Sequence, residues 1–379
     1  WARLTQPRAF AQASGERLLE YLQRVLLHAA ALNNPRDVAW FLASYARDAR
    51  SRLAEKPDLP ALATLRAALE NALGLHFEAE DGEHFFRSTL IQTLFYGVFS
   101  AWVLWREENP ARQDRFDWRL ASWNLRAPMI RALFEQLSQP SKLLPLGLTE
   151  VLDWVNGVLN RVDRAAFFSQ FAATNAVQYF YEPFLQAFDP ELRKQLGVWY
   201  TPLEIVRYMV ARVDTVLREE LGIADGLADP QVFILDPCCG TGAYLTEVLR
   251  QIKARLDEQG LGGLAGAKLK EAALERVFGF ELLPAPYVVA HLQLGLLLNQ
   301  WNATLHVDPA TGQSEQPGVY LTNALTGWEP PDEDGKKRMA QLALNFPELM
   351  AENQAARAVK KEQRILVILG NPPYNGFAG

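Results

Sequence analysis

The spacing of apolar positions changes character near residue 195. Ahead of that point, apolar residues recur at three- and four-residue steps, as in Leu18, Leu19, Tyr21, Leu22, Val25 and Leu26, and again in Phe86, Leu90, Leu94, Tyr96, Gly97, Phe99 and Trp102. That period puts them on one face of a helix. Pro60, Pro110, Pro128, Pro140 and Pro145 punctuate the periodic stretches, as expected of residues that cannot continue a helix. The aromatic stripe of Phe95, Tyr96, Phe99, Trp102 and Trp105 reads as packing between helices, not as a ligand box. Beyond Val232, short apolar runs alternate with helical patterns. Strands are predicted at 232–235, 277–280, 319–321 and 365–369, with helices over 243–256 and 285–298. A glycine-rich loop is read at 260–266 and a long, polar, partly helical insertion from 326 to about 360. The alternation predicts a parallel sheet in an α/β fold.

A loop feeds this second half. Gly197-Val198-Trp199-Tyr200-Thr201-Pro202 precedes a helix through Ile205, Val206, Met209 and Val210. Thr201 is placed to cap it, with Pro202 at the first helical position and Glu204 completing a capping box. The reading is therefore a mostly α-helical domain over 1–195 and a Rossmann-like sheet domain over 196–379.

Composition narrows the class without naming a function. Of 379 residues, 49% are hydrophobic and 22% charged, in the range of soluble globular proteins. There is no unbroken apolar stretch of membrane-spanning length and no signal-peptide pattern. The two cysteines, Cys238 and Cys239, are adjacent, a poor arrangement for a structural bridge and one suited to a reducing cytoplasm. Five scattered histidines show no ligand spacing, so no metal site is expected. The net charge of −6 argues against one large phosphate-binding face, although small basic clusters stand at Lys336-Lys337-Arg338 and at Lys360, Lys361 and Arg364.

The candidate chemistry lies where strands end, since ligands of open α/β sheets bind at the carboxyl ends of the strands. After the first strand comes Asp236-Pro237-Cys238-Cys239-Gly240-Thr241-Gly242-Ala243-Tyr244. Gly240 and Gly242 allow a tight turn and close approach to a ligand. No Lys-Ser or Lys-Thr follows, so this is not a P-loop, and the spacing is not that of a dinucleotide fingerprint. A short glycine loop without a phosphate cradle suits a cofactor without a pyrophosphate, such as S-adenosylmethionine. Glu281 ends the second strand, where an acid can accept both hydroxyls of a ribose. Asn323 and Leu325 follow the third strand, and either hold an adenine ring or form a capped turn. The fourth strand delivers Asn371-Pro372-Pro373-Tyr374. The Asn side-chain oxygen and the first Pro carbonyl can accept from an amino group, the prolines fix the backbone, and the Tyr ring offers a stacking face.

Glycine loop, strand-two acid and Asn-Pro-Pro-Tyr, in that order, resemble the adenine-N6 DNA methyltransferases. With the Gly197–Pro202 segment ahead of them, they follow the gamma arrangement. The form of the glycine loop resembles the modification subunits of type I restriction systems. Tyr181-Glu182-Pro183-Phe184-Leu185, Pro284-Ala285-Pro286-Tyr287 and Ala290-His291-Leu292 are similar to type ISP enzymes, in which nuclease and helicase precede a helical coupler and a methyltransferase. The resemblance implies that Tyr200, Thr201 and Pro202 line the methionine end of S-adenosylmethionine. It implies that Asp236, Pro237, Gly240 and Gly242 hold its amino-acid part and backbone, that Tyr244 closes the pocket, and that Glu281 takes the ribose. It gives Asn371, Pro372, Pro373 and Tyr374 the target adenine, flipped out of double-stranded DNA, with no metal required. Nuclease or helicase partners and a cytoplasmic setting without a membrane follow from the same likeness. The family sheet continues past the Asn-Pro-Pro-Tyr strand, so the fourth strand is expected to stand as an open edge here. Two alternatives use the same motifs: methylation of a protein glutamine or of RNA, and a non-catalytic DNA-binding or coupling module.

Overall fold

In the computed structural model, residues 32–55, 62–73, 79–108, 114–171, 180–190, 201–307, 314–326 and 346–372 are described, together with a few isolated positions. Of the helical reading over Leu18–Leu26 only Leu19 and Leu22 are described, both helical; the rest lies outside these residues, as do Tyr200, Pro373 and Tyr374.

Four parallel strands form the sheet: β1 (Phe233–Asp236), β2 (Val277–Glu281), β3 (Val319–Leu321) and β4 (Ile365–Ile368), in the order β3-β2-β1-β4. Register places Asp236 opposite Gly279, and Glu281 opposite Leu321. The expected strands are thus met within a residue at each end. Apolar side chains alternate between faces, as the two-residue strand period requires. Phe278 and Phe280, flanked by Phe233 and Leu235, cover one face with Ala356 and Val359. Ile234, Val277 and Val319 belong to the main core on the other. β4 pairs only with β1 among the described residues, and Ile368 is 67% exposed, so it forms the open edge that was expected.

Helices of the first half are α1 (Pro35–Ala54), α2 (Ala63–Leu73), α3 (Ala79–Glu108), α4 (Pro128–Ser138), α5 (Pro140–Leu146), α6 (Thr149–Leu159), α7 (Arg164–Gln170) and α8 (Glu182–Phe188). Those of the second half are α9 (Leu203–Thr215), α10 (Ala243–Glu258), α11 (Leu264–Glu275), α12 (Pro284–Gln300) and α13 (Pro347–Glu362). The aromatic stripe is core, as read: the Phe99 and Phe180 rings stack with centroids 3.4 Å apart, and Trp102 meets Phe167 edge-on. α3 is apolar and long enough to cross a membrane, which the sequence reading did not credit, yet its apolar window is wholly buried in the protein. It packs along α12, and α13 touches α2 and α4. The helical half therefore joins the main core continuously with the sheet half.

Two local expectations are corrected. The capping box at Thr201 does not form. The helix starts one residue later, with Pro202 in the cap position and no side-chain cap bond, because the Thr201 hydroxyl accepts instead from the Asn371 amide. The glycine-rich stretch at 260–266 is shorter as a loop than expected. Gly260 and Gly262 take positive φ, and α11 begins at Leu264 and runs to the foot of β2.

Candidate active site

Three strand ends converge at the carboxyl edge. β1 ends on Asp236, which is 1% exposed. Its Oδ1 accepts from the Cys238 amide at 3.1 Å, while Oδ2 is buried without a partner. Burial pushes this carboxyl up to about 7, and the nearby Glu281 adds to the shift. The loop beyond turns through Gly240 at φ +55° and Gly242 at φ +87°, conformations that glycine adopts without a Cβ penalty. A Cβ on Gly240 would enter open space, whereas one on Gly242 would lie 3.4 Å from the Ala290 Cβ of α12. The loop is thus seated on α12 below and open above. Gln293 of α12 seats it further, donating to the Thr241 carbonyl at 2.5 Å.

Glu281 grips this loop from β2. One carboxylate oxygen accepts from the Gly240 amide at 2.8 Å and the other from the Leu283 amide at 2.7 Å. Each oxygen keeps a second lone pair for another donor. Burial raises the carboxyl to about 7, the backbone donors opposing the shift in part. The same burial pushes Cys238 up to about 11 and Cys239 well above the usual thiol range, so both thiols stay protonated and unreactive at neutral pH. Tyr181, from the helical half, lies within electrostatic reach of Glu281, and burial first, then that charge, raises its phenol. The sequence reading used Tyr181 only as part of a motif. Its nearness to Glu281 depends on a contact between segments 100 residues apart, which no local spacing reveals.

β4 supplies the third part. The Asn371 side-chain nitrogen donates to the Thr201 Oγ1 at 3.1 Å, which joins the segment before α9 to the end of β4. With the nitrogen so held, the Asn371 oxygen is left to accept. Pro372 follows, exposed. Tyr244, at the start of α10, sets its hydroxyl 3.0 Å from the Met209 sulfur of α9. Gly370 was not singled out from sequence, yet it fixes the geometry. A Cβ there would fall inside 3.0 Å of Asp236 Oδ1, so any other residue at this position would have to shift the Asp236 carboxyl.

Asn323 and Leu325 form the capped turn that was one of the two readings for them. The Asn323 oxygen accepts from the Leu325 amide and its nitrogen donates to the Leu73 carbonyl of α2. This is the capped-turn alternative, and Leu325 is 81% exposed. The turn is pinned by Lys360 of α13, whose ammonium donates to Thr322 Oγ1 and to the Asn323 and Thr326 carbonyls. Burial lowers that ammonium to about 8. Among the described residues no cluster of His, Cys, Asp and Glu has the make-up of a metal site.

Residues 173–309 match the N-6 DNA methylase family. No curated protein matches the chain. Among solved structures, the chain is similar to the DrdV–DNA complex, at 22% identity and a TM-score of 0.57 over 90% of this chain and 28% of that one. It is also similar to the ATP-dependent type ISP restriction-modification enzyme LlaBIII bound to DNA, at 21% identity and a TM-score of 0.57 over 90% of this chain and 20% of that one. A nuclease-deletion mutant of the type ISP enzyme LlaGI with a DNA substrate mimic gives 19% identity and a TM-score of 0.54, over 96% of this chain and 26% of that one. The chain thus shares its fold with parts of these enzymes and spans under a third of their length. The resemblance read first from the motifs is matched by the N-6 DNA methylase family over residues 173–309, and the fold is shared with type ISP enzymes.

Proposed function

We propose that this chain is the S-adenosylmethionine-dependent adenine-N6 methyltransferase core of a DNA restriction-modification enzyme, with its helical half as the coupler-like region. The observation that carries the reading is the convergence of a glycine loop, a ribose-competent acid and the Asn371–Pro372 acceptors on one sheet edge, tied together by the Thr201–Asn371 hydrogen bond.

The residues fit the cofactor. Asp236 Oδ2 is a buried orphan acceptor suited to the amino-acid part, and burying it unpaired is costly. Glu281 retains lone pairs for two hydroxyls while its backbone bonds fix its direction. The space above Gly240 gives the cofactor backbone its approach. When bound, S-adenosylmethionine supplies a methyl group activated by its sulfonium. The chain's own task is then positional. Asn371 Oδ1 and the Pro372 carbonyl would accept the two hydrogens of the adenine amino group. That draws its nitrogen away from conjugation with the ring and toward a tetrahedral, nucleophilic form. Tyr374 would stack on the base taken out of the duplex. Holding nitrogen and methyl group in line contributes most of the rate.

Methyl transfer from labelled S-adenosylmethionine by the enzyme bearing this chain, offered unmodified DNA, RNA and protein in parallel, tests the proposal. The label is expected in DNA as N6-methyladenine. Replacing Asn371→Ala is expected to lower the rate by roughly 100-fold or more, the scale of losing one preorganised hydrogen-bonding group, with DNA binding retained. Label confined to RNA or protein overturns the substrate assignment, and DNA binding without any transfer overturns catalysis.

A further inference from the structure

A second polar site lies away from the sheet edge, where the helical half meets α12. A cavity of about 40 Å³ opens between α3, the segment leading into α4, α12 and the residues before β3. Four side chains on its wall carry a buried polar atom with no partner: Ser100 Oγ, His291 Nδ1, Asn299 Oδ1 and Gln316 Oε1. Ser100 is 3% exposed and His291 7%. Buried polar atoms are otherwise almost always paired, so four around one small cavity mark a built feature.

The chemistry of the four is one-sided. His291 Nε2 lies 3.2 Å from the Val319 carbonyl, which only accepts, so the ring proton sits on Nε2. Burial lowers this imidazole to about 4, so it is neutral near pH 7 and Nδ1 presents a bare lone pair. The Asn299 and Gln316 atoms are carbonyl oxygens. Three acceptors and one hydroxyl on residues lining the space are therefore unpaired and call for donors, whereas the Glu315 carboxylate on the same wall is already paired with Lys270. An anion would meet three lone pairs, even with Arg126 on the wall, and that side chain already pairs with Glu108 at 3.6 Å. A purely apolar guest would leave all four unpaired.

α12 has made room for a guest. His291, Gly295 and Asn299 stand at i, i+4 and i+8, one above another on the same helix face. Gly295 has no positive φ to explain it, and a Cβ there would meet nothing within 4 Å. Neither backbone conformation nor close packing requires glycine at this position, although glycine inside a helix is unfavourable. The absent side chain opens a slot between two polar atoms.

We propose that this slot is a binding site for a small uncharged hydrogen-bond donor, held as ordered water or as the N–H or O–H end of a small neutral molecule, which bridges α3 and α12. The volume admits about three waters or one guest of similar size. The bridge matters because α12 also carries Ala290 and Gln293, which seat the glycine loop. The site is independent of the reaction assigned to that loop.

Crystals of the chain that resolve ordered solvent are the test, grown without small amides and then soaked in acetamide. Expected is density within hydrogen-bond distance of Ser100, His291, Asn299 and Gln316. Water that persists in acetamide identifies solvent as the guest, and acetamide replacing it on the same atoms identifies a small-molecule site. A collapsed slot, with the four atoms paired to protein groups, overturns the proposal. Gly295→Ala gives a second readout in solution. Its methyl would evict the guest, so the melting temperature should fall by several degrees where a helical Gly→Ala change ordinarily raises it. A rise of a few degrees counts against any bound guest.

Discussion

Replacing Glu281 with Gln separates the charge of this residue from its hydrogen bonds. In the folded chain its carboxyl is raised from 4.5 to about 7. The folded state therefore binds a proton that the unfolded state has released across the interval between those values. Stability from this group is present at low pH and is lost as pH rises through 7. The linkage relation gives about 2.5 kcal/mol lost between pH 5 and pH 8. Gln keeps one acceptor for the Gly240 or Leu283 amide and turns its NH2 toward the other. That mismatch costs the same at every pH and cancels in the comparison. Asp236, also raised to about 7 chiefly by burial, titrates in both proteins, losing in the variant only the smaller part of its shift that the Glu281 charge supplies. Urea unfolding of the wild type and Glu281→Gln at pH 5 and pH 8 is the assay. The loss caused by the substitution should be larger at pH 5 by about 2.5 kcal/mol. An equal loss at the two pH values would mean that Glu281 is already ionised at pH 5, and the buried-acid reasoning fails.

Gly370→Ala should destabilise by about 1–3 kcal/mol, the usual range for overpacking, and weaken S-adenosylmethionine binding, because the new Cβ displaces Asp236; calorimetry reads both. Thr201→Val should leave folding intact while lowering methyl transfer roughly tenfold, a change of about 1.4 kcal/mol in the barrier, since Asn371 loses the acceptor that orients its amide; steady-state rates on DNA check it. Glu352→Leu should cost roughly 2–4 kcal/mol by leaving the Tyr287 hydroxyl and the Leu321 amide without their buried acceptor, a loss that a urea titration at pH 6 measures.

The sheet half was legible because its signals are local. Each strand is a short apolar run, and each candidate group sits within a few residues of a strand end. Asp236, Glu281 and Asn371 could be placed on one edge from strand order alone. What escaped depends on contacts between distant segments. The Thr201 cap was misread because its competitor, Asn371, lies 170 residues away. Asn323 was given two roles, and the structure takes the turn, since Lys360 and the Leu73 carbonyl hold it from elements that no spacing rule connects. Gly370 looked like the tail of a strand. Its requirement appears only when β4 lies beside β1.

The break in pattern at residue 195 is a break in periodicity and not in packing. α3 lies along α12, and α12 bears the two residues that seat the glycine loop. Tyr181 ends buried beside Glu281 from the other direction. A cofactor site built on the sheet alone would leave one flank of α12 and the surroundings of Glu281 open to water. Solvating that carboxyl would remove the burial that raises it to about 7. The helical half is therefore part of what sets the electrostatics of the site, and a displacement of α3 along α12 would be felt at Gly242 through Ala290. That contact gives a physical route by which an event on the helical half can reach the glycine loop.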